Sequence, residues 1–278
     1  MKLNDNAIVF YKDDNAEMLA KTTDLCFAAH QDDIEIMAYG PIAKCYRSEE
    51  NWFTGVTITD GAGSPRSGIY ENYTDEDMKK VRIVEQKNAS IVGEYASQIM
   101  LGYPSSAVKS KDRTKVKEDI KEIIRACKPE TIYIHNLADK HKTHVGTAIA
   151  VLDALRELEP KSRPNKVYAM EVWRGLDWVN DSEKVLFDTS KYPNVEAAVL
   201  GVYDSQISGG KRYDNATVGR RLANATFYES HDVDSFTSAN YAIDMTPVIN
   251  SNVSYIDYIN GYIDRFKSNV DDMLNELM

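Results

Sequence analysis

Five histidines stand in the 278-residue chain, His30, His135, His141, His144 and His231, and three of them fall within ten residues. Such a cluster behind an apolar run suits a metal or catalytic site. A second element, His30-Gln31-Asp32-Asp33, follows the apolar run Asp24 to Ala29. Two adjacent carboxylates at a strand end repel each other unless a cation lies nearby, and a divalent metal would supply one. His30 and Asp33, three apart at a strand-to-helix turn, can converge on one ion, with a third ligand from the histidine-rich loop. Imidazoles with one carboxylate suit zinc with an open position for water; the same 2-His-1-carboxylate set could hold Fe(II). Asp32, beside the ligands, is placed to take a proton from activated water. His141 is expected to stay protonated, stabilising a developing oxyanion or donating to a leaving amine. These parts suit metal-assisted hydrolysis of an amide, although spacing alone leaves ester and phosphoester open. The plainer reading is an Asp32–Asp33 capping pair with solvent-exposed histidines.

Strand-like and helix-like segments alternate so as to position these residues. Asp24 to Ala29 and Phe53 to Thr59 read as strands. Thr74, with Asp77 three residues on, opens a long helix in which Met78, Val81, Val84, Ile91, Val92, Tyr95 and Ile99 roughly keep helical spacing. A second helix starts near Asp112, with Val116, Ile120, Ile123, Ile124 and Cys127 on one face, and Pro129 ends it. Thr131 to Ile134 and Lys166 to Val172 are the next strands, separated by a helix over Thr143 to Leu158. This alternation predicts an α/β fold with a mostly parallel sheet and right-handed crossovers. Ligands in such sheets sit beyond the carboxyl ends of the strands, which directs attention to His30–Asp33, Asp60–Gly63, His135–His144 and Trp173–Arg174. Further on, Asn194 to Gln206 and Asp214 to Glu229 read as helical and Tyr241 to Val248 as a strand. Tyr255 to Leu277 reads as a helix whose stripe, Ile256, Ile259, Ile263, Phe266, Val270, Met273 and Leu277, is expected to face the core. No linker divides the chain, so a single domain over 1–278 is expected, with a less regular last third from about 175.

Composition bounds the function. With 43% hydrophobic and 27% charged residues the chain is ordinary globular protein, not disordered or fibrous. A net charge of −10, with the basic stretch Lys109 to Lys128 interleaved with acids, argues against nucleic acid as a partner. No apolar run is long enough for a membrane span, and the first residues do not read as a secretion signal. Cys26, Cys45 and Cys127 form no CxxC; they are expected to be small buried hydrophobes in a reducing, cytoplasmic compartment.

Ala29-His30-Gln31-Asp32-Asp33-Ile34-Glu35-Ile36 resembles the AHPDD motif of the PIG-L/LmbE-like zinc deacetylases. Thr59-Asp60-Gly61 is similar to that family's TDG, Arg82-Ile83-Val84-Glu85 to its RxxE, and Asp139 to His144 to its DxHxDH loop. Ser205-Gln206, after Tyr203, resembles a later Y-x-SQ element. The resemblance implies a Rossmann-like fold with helices on both faces of the sheet and one catalytic Zn²⁺ held by His30, Asp33 and His144. It implies Asp32 as general base, His141 as the histidine assisting the transition state, and Arg82 at the sugar contact. The implied reaction removes an acetyl group from an N-acetylglucosamine-type sugar or its conjugate. Gln31 stands where proline is usual, and Thr143 where an aspartate commonly supports the site. The alternatives are an amidohydrolase acting on a non-sugar amide and a sugar-binding homologue without activity.

Other residues carry weaker expectations. Asp60 could hydrogen-bond near the metal's water or cap the turn at Gly61. Arg174, beside Trp173, could grip a sugar or an anionic group. Arg66 reads as a solvated arginine, and His231 as a surface histidine. Gly61-Ala62-Gly63 is not a dinucleotide fingerprint, since no helix follows at the required distance. The expected partner is a small amino-sugar molecule; a homo-oligomer is left open. Specificity is expected from the loop between Gly61 and Thr74 and from the last third of the chain.

Overall fold

The structure is a computed structural model and describes residues 1–228 and 233–278. His231 lies outside the described residues. Eight strands form one sheet: β1 (Ile8–Tyr11), β2 (Asp24–Ala28), β3 (Phe53–Thr59), β4 (Ser97–Tyr103), β5 (Thr131–His135), β6 (Lys166–Met170), β7 (Val185–Asp188) and β8 (Ala239–Asp244). Their spatial order is β1-β4-β3-β2-β5-β6-β8-β7. The five central strands are mutually parallel, β1 is antiparallel to β4, and β8 is antiparallel to both β6 and β7. The mostly parallel α/β sheet expected from the sequence is present.

The helices are α1 (Asp33–Met37), α2 (Tyr39–Cys45), α3 (Asp75–Val92), α4 (Ser105–Lys109), α5 (Thr114–Cys127), α6 (Lys142–Glu157), α7 (Pro193–Gly201), α8 (Asp204–Ile207), α9 (Tyr213–Phe227), α10 (Thr246–Ile249) and α11 (Tyr255–Leu277). Successive side chains of a strand point to opposite faces, so β2 splits its apolar residues. Leu25 and Phe27 join one core with α5 and α6, while Cys26 and Ala28 join another with α1, α2 and α7. Both faces of the parallel strands are thus covered. All three cysteines are buried and free.

Local signals account for most boundaries. Thr74 caps α3: its hydroxyl accepts from the Asp77 N–H, and the Asp77 carboxylate accepts from the Thr74 N–H at 3.1 Å. The α5 face of Val116, Ile120, Ile123, Ile124 and Cys127 is buried as expected. Several expectations are corrected. The long helix stops at Val92, and Tyr95 and Ile99 lead into and lie on β4 rather than on the helix. Residues 194–206 are two helices, α7 and α8, broken at Val202–Tyr203. The strand expected to Val248 ends at Asp244, where Thr246-Pro247 opens α10. On α11 only Ile259 and Tyr262 are buried; the rest of its apolar stripe is exposed.

The order of the sheet explains where a site forms. From β2 the chain moves one way through β3 to β4, then crosses back over α5 to place β5 on the other side of β2. The β2–β5 boundary is therefore the point where strand order reverses, and the crevice at its carboxyl end is where ligands bind in such sheets.

Candidate metal centre and cleft

Two loops leave the carboxyl ends of β2 and β5 side by side. His30, Asp32 and Asp33 come from the first; the second runs from Asn136 to His141 and delivers His144 on the first turn of α6. His30 Nδ1 lies 3.1 Å from Asp33 Oδ2 and 3.2 Å from His144 Nε2, and His144 Nε2 lies 3.4 Å from the same Asp33 oxygen. For nitrogen and oxygen ligands about 2.0–2.1 Å from a tetrahedral ion, the ligands stand roughly 3.3 Å apart. The three donor atoms have that spacing, so the residues fit a divalent metal. His144 and Asp33 are buried, while His30 is partly open to the cleft.

His135 also crowds this point, its Nε2 3.5 Å from Asp33 Oδ2. That nitrogen accepts the Ala29 N–H at 2.9 Å, so its lone pair is already used. The ring stacks on His144 with centroids 4.1 Å apart. His135 therefore braces the ligand ring and ties the loop after β2 to β5. Asp139 does the complementary work. Its Oδ2 faces His144 Nδ1 at 3.5 Å and accepts the Trp173 N–H at 3.0 Å, while its Oδ1 accepts the His141 N–H at 2.8 Å. A carboxylate there favours the proton on Nδ1 and leaves Nε2 for the ion. It supplies support that Thr143 cannot.

The electrostatics agree. Burial alone would raise the Asp33 pKa, but the imidazoles of His144, His135 and His30 hold it well below the usual carboxylate range. For His144, burial is outweighed by the carboxylates of Asp33 and Asp139, which raise its pKa. That proton is one a divalent ion would displace. His141 departs from the sequence expectation: burial, then the charges of His144 and His30, push it down to about 4. The shift favours the neutral ring, which can offer an N–H donor rather than a charge.

Asp32 adjoins the three ligand atoms without joining them. Its backbone has φ 90°, a conformation that costs a non-glycine residue energy and persists only where the surroundings hold it. The holding group is Arg82. Its Nη2 donates to the Gln31 carbonyl and lies 3.2 Å from Asp32 Oδ2, and its Nη1 lies 3.1 Å from Glu85 Oε2. Glu85 in turn accepts the Ser205 N–H at 2.7 Å and the Ser205 hydroxyl at 2.8 Å. Burial raises the Asp32 pKa, Arg82 opposes it and Asp33 adds to it, leaving the group at about 7. Thr59 pins the loop from the other side, its N–H and hydroxyl both donating to the Ala29 carbonyl. Gly61 has φ +73°, a conformation that favours glycine, and a Cβ there would also crowd the Gln31 side-chain oxygen at 2.5 Å.

The site opens into a cleft of about 930 Å³. Arg82, expected at the sugar contact, lines the cleft but is 1% exposed, with Nη1 and Nη2 taken by protein groups. Asp60 lines the cleft, accepts the Ala62 N–H and pairs with Lys79 at 3.4 Å, which is the turn-capping alternative. Arg174 is exposed and does not line the cleft; Arg220 of α9 does, donating to the Val172 carbonyl. Trp173 lines the cleft beside His141, with ring centroids 5.9 Å apart and Lys140 and Lys211 over its face. Arg66 bonds Asp75 and the Ala62 carbonyl. Missed in the sequence were the bracing roles of His135 and Asp139, and Arg220. The only signal for the first two was their place on the strand and loop that carry the ligand histidine.

Comparison with known proteins bears on this arrangement. Residues 25–155, which contain both loops and Arg82, match the sequence profile of PIG-L, GlcNAc-PI de-N-acetylase. Among solved structures the chain resembles the N,N′-diacetylchitobiose deacetylase of Pyrococcus horikoshii, with 14% identity, 85% of this chain and 88% of that one covered, and a TM-score of 0.67. It resembles GalB, the 4-carboxy-2-hydroxymuconate hydratase of Pseudomonas putida, with 16% identity, 84% and 100% covered, and a TM-score of 0.63. A deacetylase of the teicoplanin biosynthetic pathway aligns with 16% identity, 80% and 98% covered, and a TM-score of 0.55. At these identities the likeness establishes the fold. No helix among the described residues is long and apolar enough to cross a membrane.

Proposed function

We propose, from the match of residues 25–155 to the PIG-L profile, that the protein is a zinc-dependent N-deacetylase acting on an N-acetylated amino sugar or its conjugate. The observation that carries this reading is the convergence of His30 Nδ1, Asp33 Oδ2 and His144 Nε2 within 3.1–3.4 Å of one another, with Asp32 alongside. Those three residues would hold the ion. When bound, it supplies Lewis acidity, lowering the pKa of water and polarising a carbonyl.

The chain's own groups do the rest. Asp32, poised near neutral pH, takes the proton of the attacking water, and the Arg82 guanidinium fixes its Oδ2 for that task. The acetamide C–N bond breaks as the nitrogen receives that proton back from Asp32, giving acetate and a free amine. Neutral His141, on the cleft wall, offers an N–H to the developing oxyanion. Trp173 presents an apolar face on which a sugar ring can lie. We assign specificity to residues beyond about 175, since Lys211, Tyr213, Thr217 and Arg220 all line the cleft. We further read residues 1–278 as one domain, because β7 and β8 of the last third complete the same sheet.

The test is paired. Asp32→Ala should keep stoichiometric zinc while acetate release falls to background; full turnover in that variant would remove Asp32 as the base. His144→Ala should lose zinc, and unchanged zinc content would remove His144 from the ligand set. Product analysis separates substrates: acetate with a new sugar amine supports this reading, and cleavage of a non-sugar amide alone replaces it.

A further inference from the structure

The last helix carries a seam that the single chain leaves uncovered. Ile259 and Tyr262 dock α11 on the body, and Arg265 pairs with Glu183 at 2.7 Å. From Ile263 to Leu277 every residue is exposed, a stretch of roughly 22 Å at the helical rise. Along it Ile263, Val270 and Leu277 fall seven apart, with Phe266 and Met273 between them. Ile256 and Ile259 continue the same register backward. The spacing alternates three and four without a break. That is the 3.5-residue repeat of a coiled-coil seam, narrower than the stripe of a helix lying on a globular body.

We propose that a second copy of this chain packs against α11 along this seam, forming a two-stranded coiled coil that makes the protein a homodimer. The seam is self-complementary. In heptad terms, Ile256, Ile263, Val270 and Leu277 hold the a positions and Phe266 and Met273 the d positions, with no charge on either; the preceding d position, Ile259, is spent on the body and takes no part in the contact. Asp257, Asp264, Asp271 and Asp272 fall at b and c, away from the contact, so two identical helices meet without opposing acids. Isoleucine and valine hold three of the four a positions, where β-branched residues occur in two-stranded coils. The exposed seam side chains with Leu274 offer roughly 600 Å² per copy, hence about 1,200 Å² for a pair, the lower bound of stable specific interfaces. A lipid surface is the wrong partner: α11 carries five acids against Arg265 and Lys267, and interfacial helices carry a basic polar face. An isolated helix of this length is marginal in water, so burial of the seam also accounts for its helicity.

None of the cleft-lining residues lies on α11, so assembly can be tested apart from activity. The experiment is sedimentation equilibrium of the full chain over a hundredfold concentration range. The expected result is a reversible monomer–dimer equilibrium that Val270→Asp shifts to monomer. Ser268→Asp, at the outward f position, should leave it intact. Acetate release should be unchanged in both variants. A monomer at all concentrations, a trimer, or a dimer indifferent to Val270→Asp would overturn the proposal.

Discussion

Two crossover helices pack on opposite faces of the same sheet and differ in the balance of what they bury, mainly apolar on α5 and largely polar on α3. α5 buries Ile120, Ile123 and Ile124. α3 buries Arg82, Glu85 and Gln86 beside Met78 and Ala89, while Val84 and Ile91 are 56% and 63% exposed. Removing apolar surface from water stabilises a fold without further conditions. Burying charge costs several kcal/mol unless every charge finds partners. On α3 they are found: Arg82 sits between Asp32 and Glu85, Ser205 closes on Glu85, and Gln86 donates to Glu35 at 3.0 Å. The comparison teaches that α5 holds the sheet together, whereas α3 holds a strained carboxylate in place.

Breaking the polar side should have the largest effect. Arg82→Met leaves Asp32 and Glu85 buried without their cation, which should cost about 3–5 kcal/mol of stability. Turnover should fall at least ~10²-fold, since the base loses its orientation. Urea unfolding and acetate release measure the two losses. Breaking the apolar side, Ile123→Ala should cost about 2–5 kcal/mol. Zinc content and activity per folded molecule should stay at the wild-type level; a loss of activity there would blur the division between the helices.

The pH profile sharpens the same contrast. Asp32 works only when deprotonated, so kcat/KM should rise with pH through its pKa, which stands at about 7 without metal. A dication beside Asp33 lowers that value, so the acidic limb of the loaded enzyme should lie at or below pH 7. Arg82 lowers the Asp32 pKa, so any residual activity of Arg82→Met should have its limb displaced upward. The smallest effect belongs to the outer face of α3: Val84→Ala should change stability by less than about 0.5 kcal/mol and leave activity alone.

The same contrast explains what the sequence made legible. The α5 face and the parallel sheet were readable because apolar periodicity reports burial directly. The ligand loops were readable because histidines and paired carboxylates are conspicuous directly after apolar strands. The buried face of α3 was legible only at Met78, since Arg82, Glu85 and Gln86 are polar and the apolar Val84 and Ile91 point outward. The β4 strand was absorbed into the helix before it because Val92, Tyr95 and Ile99 happen to keep helical spacing. Arg174 and Arg220 could not be told apart, since which of two arginines lines a cleft depends on the packing of α9 against β8, far along the chain. The short strands β1 and β7 carry too few residues for a pattern.

The central claim is that the loops after β2 and β5 meet around one ion. Anomalous diffraction at the zinc edge on crystals of the metal-loaded protein tests it most directly. The prediction is a single ion bonded to His30 Nδ1, Asp33 Oδ2 and His144 Nε2, with Asp32 outside the coordination sphere and the His135 Nε2 still accepting the Ala29 N–H. An ion bonded to His135 instead, or none between the two loops, would contradict it.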